Sequence, residues 1–380
     1  MLGAIIGDAI GSVYEFDPIK TKTFDLFGKY NEITDDSLLT MAVFVALEKC
    51  KGDYSKLSKV VVKELIQCYA NYPNPMGGYG SGFVNWAISS LQNYKVLPPY
   101  NSYGNGAAMR ISPVAYFANS LEECRDLSYK ITVVTHNHEE GIKGAEATAV
   151  AIYMALHGYN KKEIREHINS NYYTLKENCN TIRKNYGFEP SCQETVPQSI
   201  QAFLDSTCYE DAIRIVVSLG GDADTMGAIT GALAEAYYGI SKRIEKQIYP
   251  LLDQRGISIV KRMITLRDEV AKRYLESENS RFGSNTVHSR VSGSDMDGNP
   301  DKTQFNAAIK LGDTRYVCKD GAKFLKIDAE EQTEFMNADD FQVFVDEIRL
   351  FLHRRFKSHV RSIEDFYEMT FLKWSMSFWS

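Results

Sequence analysis

Small residues at three- and four-residue spacing mark three stretches of this chain, and they constrain its fold more than any other feature. Gly141 to His157 carries Gly144, Ala145, Ala147, Ala149, Ala151 and Ala155 and ends at Gly158. Thr225 to Tyr238 carries Gly227, Ala228, Gly231, Ala232 and Ala236 and ends at Gly239. Gly3, Gly7 and Gly11 form a shorter series. Such faces let helix backbones approach closely, so the first two segments are expected as buried central helices. The glycine series reads as a packing face, because it lacks the Lys-Ser/Thr ending of a phosphate loop. Ser37 to Lys49 and Lys56 to Tyr72 add apolar residues at helical spacing, closing near Gly52 and at Pro73 and Pro75. Strongly alternating runs are missing before residue 280, so the main domain, residues 1–275, is expected to be all-α.

The composition changes after that. Glu276 to Thr303 is rich in Ser, Gly, Asn and Asp and reads as a linker or long loop. Arg315 to Cys318 and Lys323 to Ile327 flank Asp320-Gly321, a hairpin pattern. A helix is expected from about Asp339 to Phe356, before an aromatic-rich end with Phe366, Tyr367, Phe371, Trp374, Phe378 and Trp379. Residues 304–380 are therefore expected to form a small α+β appendage.

With 44% hydrophobic and 24% charged residues, the 380-residue chain can bury a sizeable core. Its net charge of -6 argues against broad nucleic-acid binding, which needs a basic face. The seven cysteines are scattered and without CxxC pairing, which fits a reducing compartment better than a disulfide scaffold. The apolar run Met1 to Ile6 has no basic segment before it and is interrupted by Asp8. No run approaches the ~18 apolar residues of a membrane span. The expectation is a soluble cytoplasmic protein without membrane partners.

Two acidic clusters carry the chemistry. Thr34-Asp35-Asp36 directly precedes an apolar-periodic helix, and Asp222-Ala223-Asp224-Thr225 follows Gly220-Gly221 and opens another. Taken singly, each reads as a helix cap. Taken together they supply four carboxylates and two hydroxyls. If the fold joins them, the like charges repel unless cations neutralise them. Hard oxygen ligands of this kind suit Mg²⁺ or Mn²⁺ rather than zinc. A pair of such ions can orient substrate hydroxyls and activate a water.

Five motifs then follow in order. Gly3 to Gly11 (GAIIGDAIG) leads to Glu15, and Thr34-Asp35-Asp36 comes next. Gly104-Asn105-Gly106-Ala107-Ala108-Met109-Arg110, Thr135-His136 and Gly220-Gly221-Asp222-Ala223-Asp224-Thr225 complete the series. In that order and spacing the chain resembles the ADP-ribosylglycohydrolase family, relatives of dinitrogenase-reductase-activating glycohydrolase, over roughly residues 1–260. The resemblance implies a compact orthogonal all-α domain of that type. It also implies a binuclear metal centre that cleaves the N- or O-glycosidic bond at ADP-ribose C1″. Substrates would be ADP-ribosylated proteins or small molecules, with ADP-ribose as a product. By matching positions, Thr34, Asp35, Asp36, Asp222, Asp224 and Thr225 would be metal ligands. Glu15 would stand beside the two ions, positioning the ribose or assisting proton transfer, and Asp36 is the first choice for the base that activates water. Asp35 is counted with them as catalytic.

The substrate side rests on the same resemblance. Gly104, Asn105 and Gly106 form a loop that can offer backbone N–H groups to a phosphate and an amide to ribose; alone, it reads equally as a plain turn. His136 matches a position near the distal phosphate or ribose. Gly77-Gly78-Tyr79-Gly80 resembles another family loop, of which Gly78 and Tyr79 are candidate ligand contacts, though Tyr79 could instead cap the core. Arg110 could support its loop by ion pairing, His138 is open, and Cys192 makes a poor nucleophile with no histidine close in sequence. The competing expectation is a non-enzymatic ADP-ribose-binding or structural protein on the same scaffold.

Overall fold

The computed structural model describes residues 1–93, 96–175, 178–281, 287–291, 305–311, 314–319, 323–327 and 333–335. By its internal contacts the chain divides into two units, Met1–Val270 and Ala271–Ser380. The first unit is helical. Its early elements are α1 (Leu2–Gly11), α2 (Asp35–Cys50), α3 (Leu57–Asn71), α4 (Ser81–Gln92), α5 (Gly106–Met109), α6 (Val114–Phe117) and α7 (Leu121–Thr132). Then come α8 (Glu139–Leu156), α9 (Lys161–Asn171), α10 (Cys179–Ile182) and α11 (Cys192–Asp205). Last are α12 (Tyr209–Val217), α13 (Ala223–Tyr238), α14 (Lys242–Glu245) and α15 (Gln254–Arg281), the last running past the boundary between the units. Among the described residues, no helix is long and apolar enough to cross a membrane.

The expected packing faces meet at the centre. Every residue of α1 and of α13 is buried, and this pair packs more extensively than any other two elements. The helices run antiparallel with their small residues in register. A β-carbon on Gly3, Gly7 or Gly11 would collide with the carbonyl oxygen of Gly231, Gly227 or Ala223 respectively. Four-residue spacing on both helices makes this seam, because residues four apart share one helix face. α8, α11 and α12 pack around α13, α2 lies against α1, and α3 lies against α2. Residues such as Ile5, Ile6, Phe44, Ile152 and Phe203 are almost wholly buried in this core, each contributing about 1.5–3 kcal/mol.

One buried ion cluster ties the far end of the seam. Glu235, near the end of α13, accepts a hydrogen bond from Gly3 N at 2.8 Å and pairs with the Met1 ammonium at 2.7 Å. Its other oxygen lies 3.6 Å from Arg267 of α15. Glu235→Ala should therefore destabilise the protein by about 3 kcal/mol, because it strands the Met1 ammonium in a dry site. The midpoint of urea unfolding reads this directly; an unchanged midpoint would mean that water reaches the cluster.

In the second unit, β1 (Val287–Val291), β2 (Phe305–Leu311), β3 (Thr314–Lys319), β4 (Lys323–Ile327) and β5 (Thr333–Phe335) form an antiparallel sheet in sequential order. The expected hairpin is β3–β4, with Lys319 opposite Lys323. The segment 276–303, expected as a linker or long loop, is partly regular structure instead: α15 continues to Arg281, and β1 pairs with β2. Strand pairing overrides a Ser- and Asn-rich composition, since strand preference depends mostly on neighbours. The expected helix at 339–356 and the aromatic-rich end lie outside the described residues.

Candidate active site

The glycine seam sets the site, because it brings the C-terminal end of α1 against the N-terminal end of α13. α1 carries one acidic residue, Asp8, fully buried in an otherwise apolar helix. A carboxylate there must be fully partnered, and it is. Asp8 Oδ2 accepts from Thr34 N at 3.0 Å, from Ser37 N at 3.1 Å and from the Ser37 hydroxyl. Asp8 Oδ1 accepts from Thr34 Oγ1 at 2.8 Å. Asp8 thus satisfies free N–H groups at the start of α2 and fixes that helix start beside α1. In the sequence Asp8 has no role of its own beyond a break in an apolar run and one position of the first motif. The available signal was a lone carboxylate within a helix that is otherwise core.

Both acidic clusters stand at helix starts, but the N-cap side chain bonds the helix only at α2. Thr34 is the N-cap of α2, its hydroxyl accepting from Asp36 N, with Asp35 and Asp36 in the first turn. Asp222 is the N-cap of α13 and Asp224 lies in its first turn. The two helix starts meet: Thr225 Oγ1 donates to Asp36 Oδ2 at 3.1 Å. Glu15, beyond the end of α1, joins Asp222 and Asp224 with one oxygen from each inside a 4.8 Å span. The structure therefore brings together Glu15, Thr34, Asp35, Asp36, Asp222, Asp224 and Thr225.

Their electrostatics follow from crowding. Burial first, and Asp224 next, push the carboxyl of Asp8 up to about 7 and that of Glu15 up to about 8. The same two causes hold Asp35, Asp36 and Asp222 well above the ordinary carboxylate range. Like charges this close cannot all ionise without a counter-charge. Asp36 Oδ1 is also buried with no hydrogen-bond donor among the described residues. An orphaned acceptor and a cage of carboxylate and hydroxyl oxygens together fit a divalent cation of the Mg²⁺ or Mn²⁺ type.

The substrate candidates fall differently. Asn105 uses its amide inward, donating to Asp222 Oδ2 at 2.7 Å and to Thr195 Oγ1 at 3.2 Å. Its backbone N–H donates to Pro190 O at 2.8 Å. It therefore holds Asp222 in place. His136 is buried behind Gly104 and Gly106: a β-carbon on Gly106 would lie 3.4 Å from its Nε2. Its Nδ1 lies 2.8 Å from Thr135 Oγ1, and burial with the adjacent Arg110 holds the ring neutral, well below the usual histidine range. Arg110 donates to Thr135 Oγ1 at 2.6 Å and forms no ion pair among the described residues. Tyr79 packs against Tyr69 and Phe83 and donates to Tyr72 O at 2.9 Å, so its ring belongs to the core. Gly78 stands in open space with φ +82. His138 is the N-cap of α8. Burial pushes the Cys192 thiol up to about 12, which suits a packing residue and not a nucleophile.

The helical unit thus holds a carboxylate cage where the starts of two helices meet. Residues 1–279 match the family profile described as ADP-ribosylglycohydrolase, and the chain belongs to that family; it is a glycohydrolase. It is 27% identical over 270 residues to ADP-ribosylarginine hydrolase Tri1 of Pseudomonas putida (strain GB-1), covering 63% of this chain and 70% of that protein. It is 24% identical over 321 residues to ADP-ribosylhydrolase ARH3 of Mus musculus, covering 64% and 83%. A solved structure described as an ADP-ribosylglycohydrolase-related protein complex superposes with a TM-score of 0.50 at 21% identity, covering 68% of this chain and 96% of that one, a likeness of fold.

Proposed function

We propose that this enzyme hydrolyses the glycosidic bond between ADP-ribose C1″ and an acceptor, using two divalent cations held between α2 and α13. The observation that carries the reading is the contact of Thr225 with Asp36, which joins the two acidic clusters into one cage. Thr34, Asp35, Asp36, Asp222, Asp224 and Thr225 would hold the cations. When bound, Mg²⁺ or Mn²⁺ would supply charge stabilisation at the ribose hydroxyls and acidify a water.

The chain's own groups do the rest. Asp36 Oδ1, without a hydrogen-bond donor among the described residues, accepts the proton of the attacking water. Glu15 is only partly buried, beside Asp222 and Asp224, and assists proton transfer to the leaving atom. Asn105 keeps Asp222 aimed into the cage. The Gly104–Gly106 loop, backed by the neutral His136, takes the pyrophosphate side, where Gly104 and Gly106 carry no side chain to keep phosphates from the backbone.

The name of the Pseudomonas relative makes ADP-ribosyl-arginine the first acceptor to test, with serine-linked, nucleic-acid-linked and small-molecule ADP-ribose beside it. The purified 380-residue protein with Mg²⁺ or Mn²⁺ should release free ADP-ribose from at least one of these substrates. A chelator should cut the rate by at least about a hundredfold, reversibly. No release from any linkage, with ADP-ribose still bound, would overturn the enzymatic reading of the site.

A further inference from the structure

Glu15 follows a short 3₁₀ turn, Ser12–Tyr14, so its own segment does little to fix its carboxylate. What stands behind it is the turn between α3 and α4. That turn is tied to the site through backbone, since Met76 pairs with Thr34 in an isolated parallel bridge. It is closed by Gly78 N donating to Pro75 O at 3.2 Å and anchored to the core through Tyr79.

Within the turn, Gly77 and Gly78 both have left-handed backbone, with φ +74 and φ +82. Their surroundings differ. A β-carbon on Gly77 would lie 2.8 Å from Glu15 Oε2, whereas one on Gly78 would meet nothing within 4 Å. Backbone conformation accounts for the glycine at 78, but position 77 also needs the missing side chain. Glu15 also stands close to Asp222 and Asp224, one oxygen from each inside a 4.8 Å span, and their charge repels it.

We propose that Gly77 is a positioning residue: its bare backbone is the wall that sets how far the Glu15 carboxylate stands from Asp222 and Asp224. The inference rests on the proton-transfer role given to Glu15 above. Any side chain at 77 drives the carboxylate into its acidic neighbours or out toward solvent. Proton delivery then suffers, while the Gly104–Gly106 loop, on a different segment, keeps its hold on ADP-ribose.

The test compares two alanine variants with matched backbone strain. Gly77→Ala and Gly52→Ala should lower the melting temperature to a similar degree, since both force an alanine into left-handed backbone and Gly52 stands in open space at φ +88, away from the site. With saturating Mg²⁺, kcat of Gly77→Ala should fall at least about tenfold below that of Gly52→Ala, with KM within about twofold. In a Glu15→Asp background the shorter carboxylate clears the added methyl, so the extra loss at 77 should shrink. Equal kcat for the two alanine variants, or an undiminished loss beside Glu15→Asp, overturns the positioning role. A Glu15→Gln variant separates the two ideas: full activity there removes the catalytic role of Glu15, whereas a dead Glu15→Gln with indistinguishable glycine variants removes only the inference about Gly77.

Discussion

Asp224→Asn should lower the rate of ADP-ribose release by about a thousandfold while leaving the cation-free protein more stable than the parent. The activity loss follows from its place: Asp224 shares the 4.8 Å span with Glu15 and Asp222 and bears on every other carboxyl of the cage. Losing a charged ligand and an orientation partner together is a loss of the general acid–base and metal scale, about 10²–10⁴. The gain in stability has the opposite cause. Asp224 is the largest charge-based contribution to the raised carboxyls of Asp8, Glu15, Asp35, Asp36 and Asp222. Replacing it by a neutral isostere relieves that repulsion by about 1–2 kcal/mol, which for a domain of this size raises the melting temperature by about 2–8 °C. Function and stability pull apart at this residue. A cation-free Asp224→Asn protein that melts below the parent would show that the carboxylate is a structural partner instead.

The pH dependence has a definite sign. The folded-state carboxyls of Asp8 and Glu15 lie at about 7 and about 8, above the ~4 of an unfolded chain. The folded protein therefore binds more protons than the unfolded one in this window, and cation-free stability should decrease as pH rises from about 4 to about 8. Added Mg²⁺ should flatten that slope, because it replaces protons as the counter-charge. Asp224→Asn should flatten it without metal.

How much of this was legible depended on whether the cause was local. The starts of α2 and α13 are written in contiguous residues, so Thr34-Asp35-Asp36 and Asp222-Ala223-Asp224-Thr225 could be read as helix starts and, through the family resemblance, as one site. The seam was legible as a packing face because its four-residue period is local, but which helix it packs against was not. Asp8 stayed hidden because its partners, Thr34 and Ser37, are supplied by another helix. Asn105 was assigned to ribose because its partner Asp222 stands 117 residues away. Gly77 gains its meaning only from Glu15 across the site. β1 was missed since a short Ser-containing strand is defined by its neighbour β2 and not by its own composition.

Gly7→Ala should be the most destabilising small substitution in the helical unit. Considered alone, α1 ought to gain, because alanine favours a helix over glycine by about 1 kcal/mol. Packing reverses the sign. The added methyl would collide with the Gly227 carbonyl, and a β-carbon on Gly227 would collide with Gly7 in turn, so the clash is backbone against backbone and no rotamer relieves it. Nor can α13 retreat, since α8, α11 and α12 hold its other faces. The net loss should be about 3 kcal/mol, at the upper end of overpacking, lowering the melting temperature by about 6–12 °C. Gly187→Ala supplies the control, because a β-carbon there meets nothing within 4 Å. Whatever Gly7→Ala protein remains folded must hold α1 further from α13, which draws Asp8 from its partners on α2 or pulls α2 along and opens the Asp36–Thr225 contact. Divalent-cation affinity should then fall in the folded fraction, although Gly7 touches no ligand atom. Wild-type affinity in a destabilised Gly7→Ala protein would show that the cage is held by its own hydrogen bonds and not by the spacing of the two central helices.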